Sequence, residues 1–164
     1  MMVAIISDTH MPRGQRRLPD ACVRRLRRAE AIVHAGDLCT LEVLEQLRAL
    51  GPPVVAVHGN VDEAALARLL PTTATVTLGA RTIAVVHDAG PASGRLARMR
   101  RRFPAADAVV FGHSHLPLHE VGADGFQIFN PGSPTERRRA PTHTIGIARV
   151  SSDGRLDFTL VELD

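Results

Sequence analysis

Short apolar runs alternate along the chain with stretches in which apolar residues recur at helical spacing. "VAIIS" before Asp8, "AIVHAG" before Asp37, "VVAVHG" before Asn60, "IAVV" before His87 and "AVVFG" before His113 are rich in β-branched residues and closed by turn formers or polar residues. These features predict buried strands. Helical patterns run between them over 20–29, 40–50, 62–70 and roughly 93–103, with Thr40 and Asp62 as N-caps and Gly51-Pro52 closing the second. After His115 the pattern becomes strands joined by turns: 118–121, 126–129, 143–150 and 156–161, with "NPGSPTERRRAPT" as a long loop. The order β-α-β-α-β-α followed by mostly β predicts an α/β core whose later strands form or complete a second sheet.

A length of 164 residues fits one domain, 1–164, with a core large enough to need no disulfide or metal staple. Cys22 and Cys39 are the only cysteines, so neither a disulfide framework nor a four-cysteine zinc site is expected; both read as reduced thiols of a cytoplasmic protein. The start "MMVAIISD" lacks a basic segment and a long apolar run, so no signal peptide is expected, and no run reaches membrane-spanning length. All 20 basic residues are arginine, yet the net charge is only +3. That balance suits anionic ligands without making the chain a nucleic-acid binder, and the absence of Trp and Tyr argues against a base-stacking platform.

The polar residues that close the strands carry the chemistry. Asp8 and His10, Asp37, Asn60, His87, and His113 with His115 in "FGHSHLP" all fall at predicted carboxyl ends of strands, the edge where α/β sheets bind ligands. Carboxylates and imidazoles without thiolates suit Mn, Fe, Zn or Co. In "DTH" and "HSH" the residues two apart project to one side of the chain, so each pair can share one site or serve neighbouring metals.

"DTH" at 8–10, "GD" at 36–37, "GN" at 59–60, His87 and "GHSH" at 112–115, followed by "NPGS" at 130–133, together resemble the metallophosphoesterase or calcineurin-like phosphoesterase superfamily. The similarity is to its compact bacterial and archaeal phosphodiesterases, related in fold to a eukaryotic retromer subunit. The resemblance implies a four-layer αββα sandwich of two mixed β-sheets flanked by helices. It implies two divalent metals, Mn first with Fe, Zn, Ni or Co as alternatives. Asp8, His10, Asp37 and His115 would hold one, and Asp37, Asn60, His87 and His113 the other, with Asp37 bridging. The implied reaction is hydrolysis of a small phosphate ester by a metal-bridging hydroxide, at a site whose metals lie about 3.5–4 Å apart, with Asn60, Asp37 and His113 as catalytic residues.

Larger relatives carry a leaving-group histidine after the "GN" asparagine, where this chain has Val61. Activated leaving groups should therefore be favoured unless another group donates the proton; His58, expected inside its strand, and His119 are the candidates. Asp88 reads as a cap for the following helix or a partner of a ligating imidazole, and Asp62 carries the same two readings. His34 is either a support beneath Asp37 or a satisfied core residue, His143 faces a neighbouring strand, and Cys39 is a buried thiol. The arginine runs at 24–28, 98–102 and 137–139 read as solvated helix faces and a loop.

Three functions are compatible with the sequence: a metal-dependent phosphodiesterase or phosphomonoesterase, a protein-binding scaffold of the retromer-subunit type, and, less favoured, a nuclease. Membrane partners are not expected, and association of copies stays open.

Overall fold

The side chains of β1 (Met2–Ile6) divide between two cores: Val3 and Ile5 pack into one and Ala4 and Ile6 into another. That division follows from the two-residue period of a strand and makes β1 the centre of a sheet buried on both faces. The computed structural model describes residues 1–164. After β1 the chain runs through α1 (Asp20–Arg28), β2 (Ala31–His34), α2 (Leu41–Arg48), β3 (Val54–Ala56), α3 (Ala64–Leu69), β4 (Thr73–Leu78), β5 (Arg81–Val86), α4 (Arg95–Arg102) and β6 (Ala108–Val110). It then continues through β7 (Leu118–Val121), β8 (Gln127–Asn130), β9 (Thr144–Val150) and β10 (Leu156–Glu162).

Two mixed five-stranded sheets result, in the orders β10-β9-β1-β2-β3 and β4-β5-β6-β8-β7. Strands β1, β2 and β3 are parallel, as are β5, β6 and β8. Cys22 and Leu26 of α1, Val43, Leu44 and Leu47 of α2 and Leu66 of α3 cover the outer face of the first sheet. Met99 of α4 covers the outer face of the second, against Val86, Val109 and Ile128. Between the sheets, Val3, Ile5 and Val33 meet Ile83, Val85, Val110 and Phe129. These layers form the expected α/β four-layer sandwich. Gly146 permits the sheets' close approach, because a Cβ there would stand 2.3 Å from the Phe129 ring. No helix is long and apolar enough to cross a membrane.

The structure corrects several local expectations. β4 is an additional strand, an edge paired only with β5, whose Thr-rich sequence buries just Val76 and Leu78. β3 ends at Ala56, so His58 lies beyond its strand. Thr40 occupies the N-cap of α2, but its hydroxyl makes no hydrogen bond; Glu63 Oε1 instead accepts from Leu41 N at 2.7 Å. Helix α3 starts at Ala64 with Glu63 as N-cap, so Asp62 is not its cap.

Candidate metal centre

Parallel strands send their carboxyl ends to one edge, and both sheets deliver polar residues there. Asp8 and His10 follow β1, Asp37 follows β2, Asn60 follows β3, His87 follows β5, and His113 and His115 follow β6. Asp8, His10, Asp37, His113 and His115 have φ between 46° and 73°, a left-handed backbone unusual for residues other than glycine. Strained backbone persists where its surroundings over-determine it. Here Asp8 N donates to Gly36 O and His10 N to Asp37 O, both at 3.0 Å, lacing the first two loops together.

The two carboxylates are anchored from their far sides. Asp8 Oδ2 accepts from Ser7 Oγ at 2.6 Å and from His113 N at 3.0 Å, while Asp37 Oδ1 accepts from Val61 N at 3.0 Å. Glycines make these approaches feasible: a Cβ at Gly59 would stand 2.1 Å from Asp37 Oδ1, and one at Gly112 would stand 1.9 Å from Ser7 Oγ. Asp62 is a staple between loops, its carboxylate accepting from Gly59 N, Cys39 N and Asp37 N at 2.7, 2.7 and 3.1 Å.

The structure brings together all seven residues expected to hold metal. Ligand atoms of Asp8, His10 and His115 lie within 4.8 Å of one another, as do those of Asp37, His87 and His113. Asp37 Oδ2 stands between the groups, 3.4 Å from His10 Nε2 and 3.1 Å from His87 Nε2. Asp8 Oδ1 lies 3.6 Å from His115 Nε2 and 3.9 Å from His10 Nε2. Asn60 Oδ1 completes the second group, 3.1 Å from both His87 Nε2 and His113 Nδ1.

This donor set fits divalent cations. Two carboxylates are buried side by side, Asp8 at 0% and Asp37 at 2% exposure, and His10 Nε2 and His115 Nε2 are buried without hydrogen-bond partners. Buried polar atoms rarely stay unpaired, and an ion between them would satisfy both imidazoles. Imidazole orientation is set from the other ring nitrogen: His87 Nδ1 donates to Ala35 O at 2.7 Å and His115 Nδ1 to Glu136 O, turning both Nε2 atoms towards the carboxylates.

The protonation equilibria reflect the same crowding. Burial would lower the His10 pKa, yet contacts with Asp37 and Asp8 and the charge of Glu136 raise it to about 9. Burial would also raise the Asp37 carboxyl, but His10, His87 and Val61 N–H hold it far below the usual carboxylate range. His87 is raised against its burial by Asp37 and Asp8, whereas burial keeps His115 lowered.

The other candidate residues separate clearly. His34 is fully buried beneath the site, its Nδ1 accepting from Gly36 N while Nε2 meets Thr9 Oγ1, both at 3.1 Å. His58 joins Asn60, His87, Asp88, Arg102 and His113 around an open cleft of about 280 Å³. His119 bonds Gln127 and packs edge-on against Phe129 and Phe158, away from that cleft. His143 pairs with Asp164. Asp88 caps no helix and touches no ligating imidazole; its Oδ1 accepts from Gly90 N in a local turn. Cys39 is buried, as expected. The arginines of α4 exceed the expected solvated face, because Arg95 and Arg98 bind carbonyls of the 89–93 loop. Sequence reasoning missed Asp62 as a staple and Glu136 as an acceptor. Only hydrogen-bond partners distant in sequence reveal either.

Comparison with solved structures places the fold beside wild-type Vps29 of Entamoeba histolytica complexed with Zn²⁺, with TM-score 0.78 and 24% identity over 100% of both chains. An archaeal phosphodiesterase superposes with TM-score 0.72 and 19% identity, over 98% of this chain and 100% of that one. In sequence, a probable metallophosphoesterase of Methanocaldococcus jannaschii is 30% identical over 100% of this chain and 82% of its own length. Residues 1–153 match the calcineurin-like phosphoesterase superfamily domain, and the chain belongs to that superfamily.

Proposed function

We propose that the chain, acting as one domain over 1–164, is a metal-dependent phosphodiesterase that hydrolyses a small phosphate ester at a paired metal site. The observation that carries this reading is the placement of Asp37 Oδ2 between His10 of one ligand group and His87 of the other. Asp8, His10, Asp37 and His115 would hold one cation, and Asp37, Asn60, His87 and His113 the second. The cations would neutralise phosphoryl charge and activate water for in-line displacement. Mn is the first candidate, with Fe, Zn, Ni and Co chemically compatible.

The chain's own residues then have defined tasks. Asn60 turns Oδ1 towards His87 and His113, leaving its amide nitrogen to donate to a phosphoryl oxygen at the cleft. Asp37 and His113 complete the polar surface against which the phosphoryl group is aligned, so positioning and charge supply the acceleration. Val61 has no proton to give a leaving group; His58, on the cleft wall, is the candidate donor. Buried thiols at Cys22 and Cys39 agree with a cytoplasmic setting.

The test is hydrolysis of bis-p-nitrophenyl phosphate and p-nitrophenyl phosphate by metal-stripped protein titrated with Mn²⁺, with His115→Ala as control. Metal-dependent turnover lost in the variant, with the diester preferred, supports the reading. Fold similarity to Vps29 favours a second reading, a metal-binding scaffold for other proteins. Stoichiometric metal uptake without turnover of either ester would put that reading first.

A further inference from the structure

The 131–143 loop between β8 and β9 folds back over the first ligand group. Ser133 Oγ donates to Asp8 O at 2.9 Å and Thr135 Oγ1 to Thr9 O at 2.7 Å, clamping the loop to the backbone between Asp8 and His10. Ser133 Oγ also accepts from Glu136 N at 2.9 Å, which fixes where Glu136 begins. Its carboxylate is consequently drawn inward, with 23% of the side chain exposed.

Glu136 addresses the outward-facing nitrogens of both histidines in that group. Its main-chain oxygen accepts from His115 Nδ1, and its Oε2 lies 3.3 Å from His10 Nδ1 and 3.8 Å from His115 Nδ1. Arg16 Nη2 holds Oε1 at 3.0 Å, and half-exposed Arg138 reaches within 3.9 Å of Oε2. Oε2 itself is buried and lacks a hydrogen-bond partner. A buried carboxylate oxygen is costly to leave unmatched, and the imidazole N–H beside it is the nearest donor.

We propose that Glu136 is a positioning residue for His10 and His115. Its side chain accepts a hydrogen bond from His10 Nδ1–H and its main-chain oxygen one from His115 Nδ1–H. Both rings are thereby fixed in the tautomer that offers Nε2 towards Asp8 and Asp37. Arg16 keeps the carboxylate turned to His10. A carboxylate behind a ligating imidazole makes the ring a better donor and restricts its rotation. The role rests on the metal-dependent reading above and concerns only the first of its two ion sites.

Metal-stripped wild type, Glu136→Ala, Glu136→Gln and Arg16→Ala proteins would be titrated with Co²⁺ against a competing chelator, reading stoichiometry and visible absorption. Wild type is expected to bind two equivalents. Glu136→Ala should weaken one of them about 10–100-fold, the range for lost partners of metal-bound histidines, and leave the other unchanged. Glu136→Gln, which keeps an acceptor oxygen, should recover part of that loss, and Arg16→Ala should weaken the same equivalent less. Unchanged affinity in Glu136→Ala overturns the assignment, and so does equal weakening of both equivalents, which would reveal a general displacement of the loop. A wild type that binds two equivalents isolates such a failure to Glu136; one that binds none overturns the metal reading together with it.

Discussion

Asp37 Oδ2 lies 3.1 Å from His87 Nε2, although Asp37 follows β2 of one sheet and His87 follows β5 of the other. The site is therefore a product of sheet packing. It exists only when the apolar layer holding Val33 against Val85 is formed. His10 Nε2 approaches the same oxygen at 3.4 Å, so Asp37 reaches both ligand groups more closely than Asp8, whose Oδ1 stands 4.0 Å from His87 Nε2.

Asp37→Asn is expected to impair both ion sites, whereas His87→Ala should impair one. Isothermal titration with Mn²⁺ should show less than one tight equivalent in the first variant and one in the second. Activity of Asp37→Asn should fall by at least the roughly 10²–10³-fold that removal of one preorganised electrostatic group costs.

Gly59→Ala places a methyl group 2.1 Å from Asp37 Oδ1. The carboxylate must shift, so metal affinity should fall even though no ligand is replaced. Overpacking of this kind costs about 1–3 kcal/mol, which thermal melting of the metal-free protein should register.

His34 is lowered to about 4, first by burial and then by the neighbouring His87 charge, against the opposing pull of Asp62, Asp8 and Asp37. Its Nδ1 must stay unprotonated to accept from Gly36 N. The unfolded chain binds a proton at this residue below about pH 6.5, where the folded chain does not. The stability associated with neutral His34 is thus complete above pH 6.5 and is lost as pH falls towards 4. Urea melts of metal-free protein across that window should show a steeper decline for wild type than for His34→Asn. The raised pKa of His10 acts above the window, with opposite slope, as pH rises towards 9.

Leaving-group dependence tests His58. His58→Ala should lower turnover of phenyl esters, whose leaving group needs a proton, by about 10²-fold or more, while nitrophenyl esters change little. Equal effects on both would point to His58 as part of the cleft wall only.

The alternation of apolar runs and turn formers made most strands and all four helices legible, because burial on both faces writes continuous Val, Ile and Ala into β1, β2, β5 and β6. β4 was hidden because an edge strand rich in threonine carries a weaker apolar signal. The residues that gather at the candidate site were legible because they sit in order at strand ends. Asp62, Asp88 and Glu136 were not, since their partners are set by loop conformation. Asp62 looks like a helix cap in sequence, yet two amides of the loop after β2 and Gly59 N of its own loop reach its carboxylate first.

The central claim, a paired site bridged by Asp37, is tested most directly by anomalous diffraction from crystals of the Mn²⁺-loaded protein. Two peaks about 3.5–4 Å apart are expected, one beside Asp8, His10 and His115 and the other beside Asn60, His87 and His113, with Asp37 between them. A single peak at full loading, or two ions that share no contact with Asp37, would contradict it.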